Sequence, residues 1–237
     1  MDSAGAERRK RCLLIDLPLT PYAEALDLQH RLVDARSDGR LDTDAVLMLE
    51  HPPVFTLGRR GGLDDLIVSR ERLVQEGIEV LPAERGGLIT YHGPGQLVVY
   101  PVLDLKRSGL GVQELVAALE TVMIGTAADF GVAAGRDGRN RGVWTGGKKL
   151  GSIGLAVRHG VSFHGLALNV DLDLTPFSWI HPCGLAGVAM TSLAAEGATA
   201  VSLDAARRSL AAHFALTLGF DLTPASLDAL PGWPAAP

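Results

Sequence analysis

Between Ser152 and Val170 apolar residues recur at every second position on both sides of a turn, a pattern that a helix cannot use. Ile153, Leu155 and Val157 alternate with small residues, Arg158, His159 and Gly160 supply the turn, and Val161 and Phe163 resume the alternation. The segment predicts a β-hairpin. At His164 and Gly165 the apolar set passes from odd to even positions, continuing as Leu166, Leu168 and Val170, and a one-residue slip beside a glycine predicts a β-bulge. Pairing back along the hairpin from Val157 and Val161 sets Lys149 opposite Asn169 or, with the bulge counted, Val170. About a dozen residues then remain before Cys183, enough chain to double back, so Lys149 and Cys183 can share one site.

The rest of the chain supplies partners for such a hairpin. CLLIDLPL reads as a strand, followed by Thr20 as N-cap and Pro21 as first-turn proline of a helix through Leu32 and Val33. AVLMLEH and VFTLG are short strands split by Pro52 and Pro53, and Ser69 to Gly77 is a short capped helix. LITYH and QLVVYPVLDL flank Gly93, Pro94 and Gly95 as strand, turn, strand. Leu115, Leu119, Val122, Met123, Thr126 and Phe130 mark one amphipathic helix, and Leu203, Ala206, Leu210, Phe214 and Leu218 mark another. Strands and helices do not alternate strictly, so the order predicts an α+β fold with a mixed or largely antiparallel sheet and flanking helices, and not a doubly wound one. With 237 residues and 47% hydrophobic content the chain fits one domain, residues 1–237, with its core over about 11–230.

Charge and composition exclude several classes. A net charge of -5, from 22 basic and 27 acidic residues, opposes nucleic-acid binding. No apolar run approaches the roughly 18–20 residues of a membrane span, and the opening MDSAGAERRKRCLLIDLPL is too short and interrupted in its apolar part for a signal peptide, so a cytoplasmic location is expected. No cluster of His, Cys and acidic residues has metal-ligand spacing. GVWTGGKK resembles a phosphate-binding loop but carries Lys149 where Ser or Thr must hold magnesium, and the following LGSIGLAV is strand-like where a P-loop needs a helix.

Two cysteines have different surroundings. Cys12 lies in an apolar strand and reads as a buried small hydrophobe, whereas Cys183 sits among His181, Pro182, Gly184 and Gly187, a turn-like setting with little apolar packing, and has two readings, a buried small hydrophobe or a nucleophile.

Four blocks then resemble one family closely: HPPVFTLGRRGG from His51, RGGLITYHGPGQLVVYP from Arg85, GGKKLGSIGLAV from Gly146, and SFHGLALNVDLDLTPFSWIHPCG from Ser162 with the following MTSL. The chain resembles the lipoyl(octanoyl) transferases of lipoate biosynthesis, the octanoyl-ACP:protein N-octanoyltransferases. The resemblance implies a fold akin to the catalytic domains of biotin and lipoate protein ligases, and a ping-pong transfer of octanoyl from acyl carrier protein to a lysine. The acceptors it implies are lipoyl domains of 2-oxoacid dehydrogenase complexes and the glycine cleavage H protein. It places the nucleophile on Cys183 and its partner on Lys149. It places substrate contacts on Arg85, Gly86, Gly87, Leu88, Ile89, Thr90, Tyr91 and His92, on Ser152, Ile153 and Gly154, and on Gly165, Leu166 and Ala167. It implies no cofactor and no metal.

The chemistry accords with that pairing. A free thiol with pKa about 8.5 is only a few per cent thiolate at pH 7, and an adjacent ammonium favours the thiolate. The acceptor amine, with pKa about 10.4, must lose a proton, and a partly desolvated lysine can take it. His92 has two readings, orienting substrate or capping the turn before Gly93. Arg59, Arg60, Lys148 and Arg158 are candidates to dock acidic carrier proteins. Two other classes stay open: an ATP-dependent lipoate or biotin ligase, which activates a free acid and needs no cysteine nucleophile, and a non-catalytic acyl-carrier binding module.

Overall fold

The computed structural model describes residues 9–181 and 188–230. Its elements run β1 (Lys10–Leu19), α1 (Tyr22–Ser37), β2 (Asp44–Glu50), β3 (Val54–Leu57), α2 (Arg70–Gln75), β4 (Glu79–Pro82), β5 (Ile89–His92) and β6 (Gln96–Val102). There follow α3 (Leu105–Ser108), α4 (Val112–Asp129), β7 (Gly135–Asp137), β8 (Asn140–Thr145), β9 (Lys148–Arg158), β10 (Val161–Asn169), α5 (Leu203–Leu218) and β11 (Phe220–Pro224).

Pro52 and Pro53 divide two sheets. Neither can donate a ladder hydrogen bond, and at this point the chain leaves an eight-stranded sheet of order β11-β1-β2-β6-β10-β9-β8-β7 for a three-stranded sheet of order β4-β3-β5. In the large sheet β1 runs parallel to both β2 and β11, and the other neighbours are antiparallel. The fold is thus α+β with a mixed sheet, as the order of elements predicts.

Alternation along the central strands feeds two cores. Ala45, Leu47 and Leu49 of β2 and Val98, Tyr100 and Val102 of β6 pack with Leu28 and Leu32 of α1. Val46, Met48, Leu97 and Val99 face the other way, onto Leu115, Leu119 and Met123 of α4 and Leu210 and Phe214 of α5. Each such Leu or Phe side chain, taken out of water, contributes about 1.5–3 kcal/mol. Across the sheet edge a buried ion pair joins Arg36 Nε of α1 to Asp44 Oδ1 at 2.7 Å, and Asp44 also accepts from Asp104 N–H and Ser108 Oγ, so its charge is fully coordinated.

Two local expectations are corrected. Thr20 does not cap α1: Pro21 is the N-cap, and the Thr20 hydroxyl donates to Pro18 O at 2.8 Å. The hairpin of β9 and β10 carries no bulge at His164 and Gly165, because the register runs unbroken from Val161↔Arg158 to Leu168↔Gly151. The apparent phase slip arises because both faces of β10 are covered: Val161, Phe163 and Ala167 pack toward α1, Leu166 and Leu168 toward α4 and α5. An apolar residue is therefore favourable at odd and even positions alike.

Gly165 has another reason to be glycine. A Cβ there would collide with Val99 O and lie 2.6 Å from Pro101 Cδ, both on the neighbouring β6. Gly165→Ala is expected to lower stability by about 2 kcal/mol or more in urea unfolding, as overpacking against backbone does. Gly138→Ala, with open space at its Cβ, is expected to stay within about 0.5 kcal/mol of wild type.

Candidate active site

One irregularity in β9 governs how the site is built. Against β8 the register runs Gly142↔Ser152 and Val143↔Gly151, then shifts to Trp144↔Lys149 and Thr145↔Lys148, which leaves Leu150 as an extra residue. Strict alternation from Ser152 would carry Leu150 to the α1 side of the sheet and Lys149 to the other. The bulge inverts this, so that Leu150 joins the core beneath α4 and Lys149 lines a cavity on the α1 side. Gly146 and Gly147, which imitate a phosphate-binding loop in sequence, form the two-residue turn between these strands, both with positive φ (52° and 79°).

Lys149 is 2% exposed. Its N–H donates to Ala189 O and its carbonyl accepts from Thr191 N–H, each at 2.9 Å, a short parallel bridge centred on Met190. The expected pairing of Lys149 with Asn169 or Val170 is not made; the chain that doubles back to Lys149 is residues 189–191. Its Nζ lies 5.5 Å from the centre of the Trp144 ring, which also has the Arg139 guanidinium 4.3 Å away. Cys183 lies outside the described residues.

The cavity holds about 680 Å³ including its mouth. Its walls are β6, β9 and β10 of the large sheet and the segment of residues 85–92, with Tyr22 of α1, Arg60 and Asn140 completing it. Of the expected substrate contacts, Arg85, Gly86, Gly87, Leu88, Ile89, Thr90, His92, Ser152, Ile153, Gly154, Gly165, Leu166 and Ala167 all line it, together with Lys149. Tyr91 does not: its ring is packed away from the cavity against Phe55 and Phe177, at centroid distances of 5.4 and 5.5 Å. The Arg85 side chain is buried, its guanidinium donating to Thr56 O at 2.7 Å, Thr56 Oγ1 at 2.8 Å and Gly86 O at 3.1 Å. Gly154 makes room for it, since a Cβ there would lie 2.8 Å from Arg85 Cδ.

The sequence reading missed a set of polar rings beside this cavity. His51 is fully buried, with Nδ1 donating to Thr20 O and Nε2 accepting from the Tyr100 hydroxyl, both at 2.7 Å. Tyr22 lies between His92 and His164, near parallel to both at centroid distances of 6.4 and 6.5 Å. His164 takes a left-handed φ of 55° and donates its N–H to Gln29 Oε1 of α1. The Tyr22 hydroxyl and His164 Nε2 are buried, line the cavity region and have no hydrogen-bond partner among the described residues. Burial pushes the His51 pKa down to about 4, and burial together with the Arg85 charge pushes His164 down to about 3. The sign available in sequence was a histidine closing an apolar strand at His51 and one interrupting another at His164. Of the basic candidates, Arg60 lines the cavity and Arg59 is exposed beside it, whereas Lys148 is paired with Glu196 and Arg158 with Asp34, each at 2.6 Å.

Residues 21–215 match the family described as the lipoyl protein ligase A/B catalytic domain. An octanoyltransferase of Desulfotalea psychrophila is 56% identical over 188 residues, covering 78% of this chain and 84% of the relative. One of Syntrophobacter fumaroxidans is 47% identical over 204 residues, 86% and 89% of the two chains. The chain belongs to the octanoyltransferase family. Solved structures extend the likeness of fold beyond this octanoyltransferase family. A putative lipoate protein ligase of T. acidophilum with bound lipoic acid superposes with a TM-score of 0.68 at 18% identity, covering 92% of this chain and 89% of that one. LipL1 of P. falciparum in complex with lipoate gives 0.71 at 13% identity, over 93% and 66%.

The neutral histidines make stability depend on pH. In the unfolded chain an imidazole titrates near 6.5, so below that pH the unfolded state binds protons that folded His51 and His164 refuse. Their contribution is complete above about 6.5 and is lost as pH falls. Urea unfolding at stepped pH is expected to show about 3 kcal/mol lost for His51 alone by pH 4, with a shallower slope in His51→Gln. A flat profile between pH 7 and 4 would contradict neutral burial.

Proposed function

We propose that this octanoyltransferase moves an octanoyl group from the thioester of octanoyl-acyl carrier protein to a lysine of a lipoyl-domain protein, by way of a thioester on Cys183. The observation that carries the reading is the return of the chain to Lys149 at residues 189–191, shortly after Cys183 in sequence, at the wall of the cavity that the expected acyl contacts line. In the first step the Cys183 thiolate attacks the donor carbonyl, a new C–S bond forms as the donor's C–S bond breaks, and the carrier sulfur departs as thiol with the proton that the Lys149 ammonium gives up. In the second the neutral acceptor amine attacks the enzyme thioester, a C–N bond forms, and Cys183 leaves as thiol.

Lys149 serves both steps in this scheme. As an ammonium it stabilises the thiolate, and as an amine it carries the proton from the acceptor nitrogen to the departing sulfur. The donor is already activated, so the scheme consumes no nucleotide. The mixed wall of the cavity accords with an acyl substrate: Val98 and Ala167 offer apolar surface, and Arg60 at its edge is a basic group for the phosphate of a carrier's prosthetic arm. Lipoyl domains of 2-oxoacid dehydrogenase complexes and the glycine cleavage H protein are the acceptors proposed. No helix among the described residues is long and apolar enough to cross a membrane.

Intact-mass measurement after mixing with octanoyl-acyl carrier protein, without acceptor, is expected to show one octanoyl adduct on Cys183, removable by hydroxylamine and absent in Cys183→Ser. Product formed equally well from free octanoate and magnesium ATP would instead favour the ligase reading. Carrier binding with neither adduct nor turnover would favour the binding module.

Lys149→Arg separates charge from proton transfer, because a guanidinium does not deprotonate near pH 7. Under single-turnover conditions this variant is expected to acquire octanoyl yet pass it on slowly, with partial recovery as rising pH deprotonates the acceptor. Lys149→Met is expected to be impaired already in acylation. Wild-type rates for both steps in the methionine variant would remove Lys149 from the mechanism.

A further inference from the structure

Gln96 and Asn169 belong to none of the segments expected to touch substrate, yet they tie two walls of the cavity together. Gln96 opens β6, Asn169 ends β10, and they stand opposite one another in the antiparallel register, 2% and 1% exposed. Gln96 Nε2 donates to Asn169 Oδ1 at 2.9 Å and to Tyr91 O at 3.2 Å, and Asn169 Nδ2 donates to Thr191 O at 2.8 Å. Each amide therefore faces a backbone carbonyl, which can only accept, and this fixes which end of each amide is nitrogen. Gln96 Oε1 is then left facing His92 Nδ1 at 2.6 Å. An amide oxygen can only accept as well, so the hydrogen sits on Nδ1.

His92 is also neutral. Burial holds its pKa well below 6.5, and His51, Arg85 and His164, which face it, act in the same direction against the raising effect of the Gln96 hydrogen bond, while Tyr22 stacks on its ring. A neutral imidazole with Nδ1 protonated has a bare Nε2.

We infer that Gln96 and Asn169 are positioning residues of the acyl transfer, which hold His92 as the Nδ1–H tautomer so that its Nε2 accepts a hydrogen bond from the attacking amine of the acceptor lysine. The contact aims the amine and leaves its lone pair for the thioester carbonyl. His92 takes no proton: the C–N bond forms, the C–S bond breaks, and the amine proton passes through Lys149 to the Cys183 sulfur. The same relay reaches Lys149 through its backbone, because Asn169 fixes the Thr191 carbonyl and Thr191 N–H holds the carbonyl of Lys149. Both cavity residues are thus registered by one pair of amides.

This inference rests on the proposed octanoyl transfer, and the two can fail separately. Long-range 15N–1H correlation spectra of the full chain without substrate, with the His92 signals assigned by their loss in His92→Asn, are expected to show a neutral ring protonated on Nδ1. An Nε2–H ring would overturn the inference while leaving the octanoyl adduct on Cys183 intact. Absence of that adduct with the Nδ1–H ring present would overturn the function instead. Gln96→Glu replaces the amide by a carboxylate that favours a doubly protonated ring, with no acceptor left at Nε2. It is expected to slow transfer from preformed octanoyl-enzyme to the acceptor by about 10–100-fold, with the His92 ring protonated at higher pH than in wild type. Transfer at the wild-type rate from a variant whose His92 ring is doubly protonated would also overturn it.

Discussion

Because the sheet is covered on both faces where Lys149 and Leu150 sit, a polar side chain at that point of β9 has no solvent to turn to, and the extra residue at Leu150 decides where Lys149 goes. Placed on the α4 side, an ammonium would sit among Leu166, Leu168 and Met123, at a cost of several kcal/mol. Placed on the α1 side, it meets a cavity, a tryptophan ring and the backbone of residues 189–191. The bulge exchanges an apolar residue for a charged one across the sheet without breaking the hairpin that continues beyond it. That leucine is as necessary as the lysine, since it fills the space the lysine vacates.

The cavity wall holds neutral polar rings around a fixed cation. Arg85 is anchored by Thr56 and by its own neighbour's carbonyl, and its charge in a poorly solvated region disfavours a second cation nearby. Burial holds His51, His92 and His164 neutral, and the Arg85 charge adds to that at His92 and His164. Neutral imidazoles have one donor and one acceptor each, so their directionality comes from their partners: Thr20 O and Tyr100 for His51, Gln96 for His92. Polar specificity in such a wall is a property of hydrogen-bond direction more than of charge.

Much of this was legible in the chain. The period-2 runs located the hairpin of Val161 and Arg158 and the three-and-four spacing located α4 and α5, while the resemblance to a family pointed to many of the residues that line the cavity but not to Tyr22, Val98, Tyr100 or His164. What was not legible depends on partners distant in sequence. Whether VFTL joins the sheet of AVLMLE or another is decided by β4 and β5, not by the four residues themselves. The bulge at Leu150 is visible only once β8 is laid beside β9. Tyr91 alternates out of a run whose neighbours face the cavity, a consequence of strand geometry that block resemblance does not resolve. The phase change at His164 misled because a strand buried on both faces carries no amphipathic signature.

The arrangement of the sheet also bears on how the chain is made. β1 is flanked by β2 and by β11, so one of its two edges is completed by the last strand of the fold. A ribosome adding about 5–20 residues per second releases β1 long before β11 exists, and throughout that interval the apolar run Cys12, Leu13, Leu14 and Ile15 has an unpaired edge. An open apolar edge of this kind is a template for pairing with other chains. Its flanks carry Lys10 and Arg11 at one end and Asp16 and Pro18 within the strand, charges and a proline of the type that keeps nascent edges from pairing wrongly. The residues that look least involved in the cavity thus guard the molecule during the seconds before it has one.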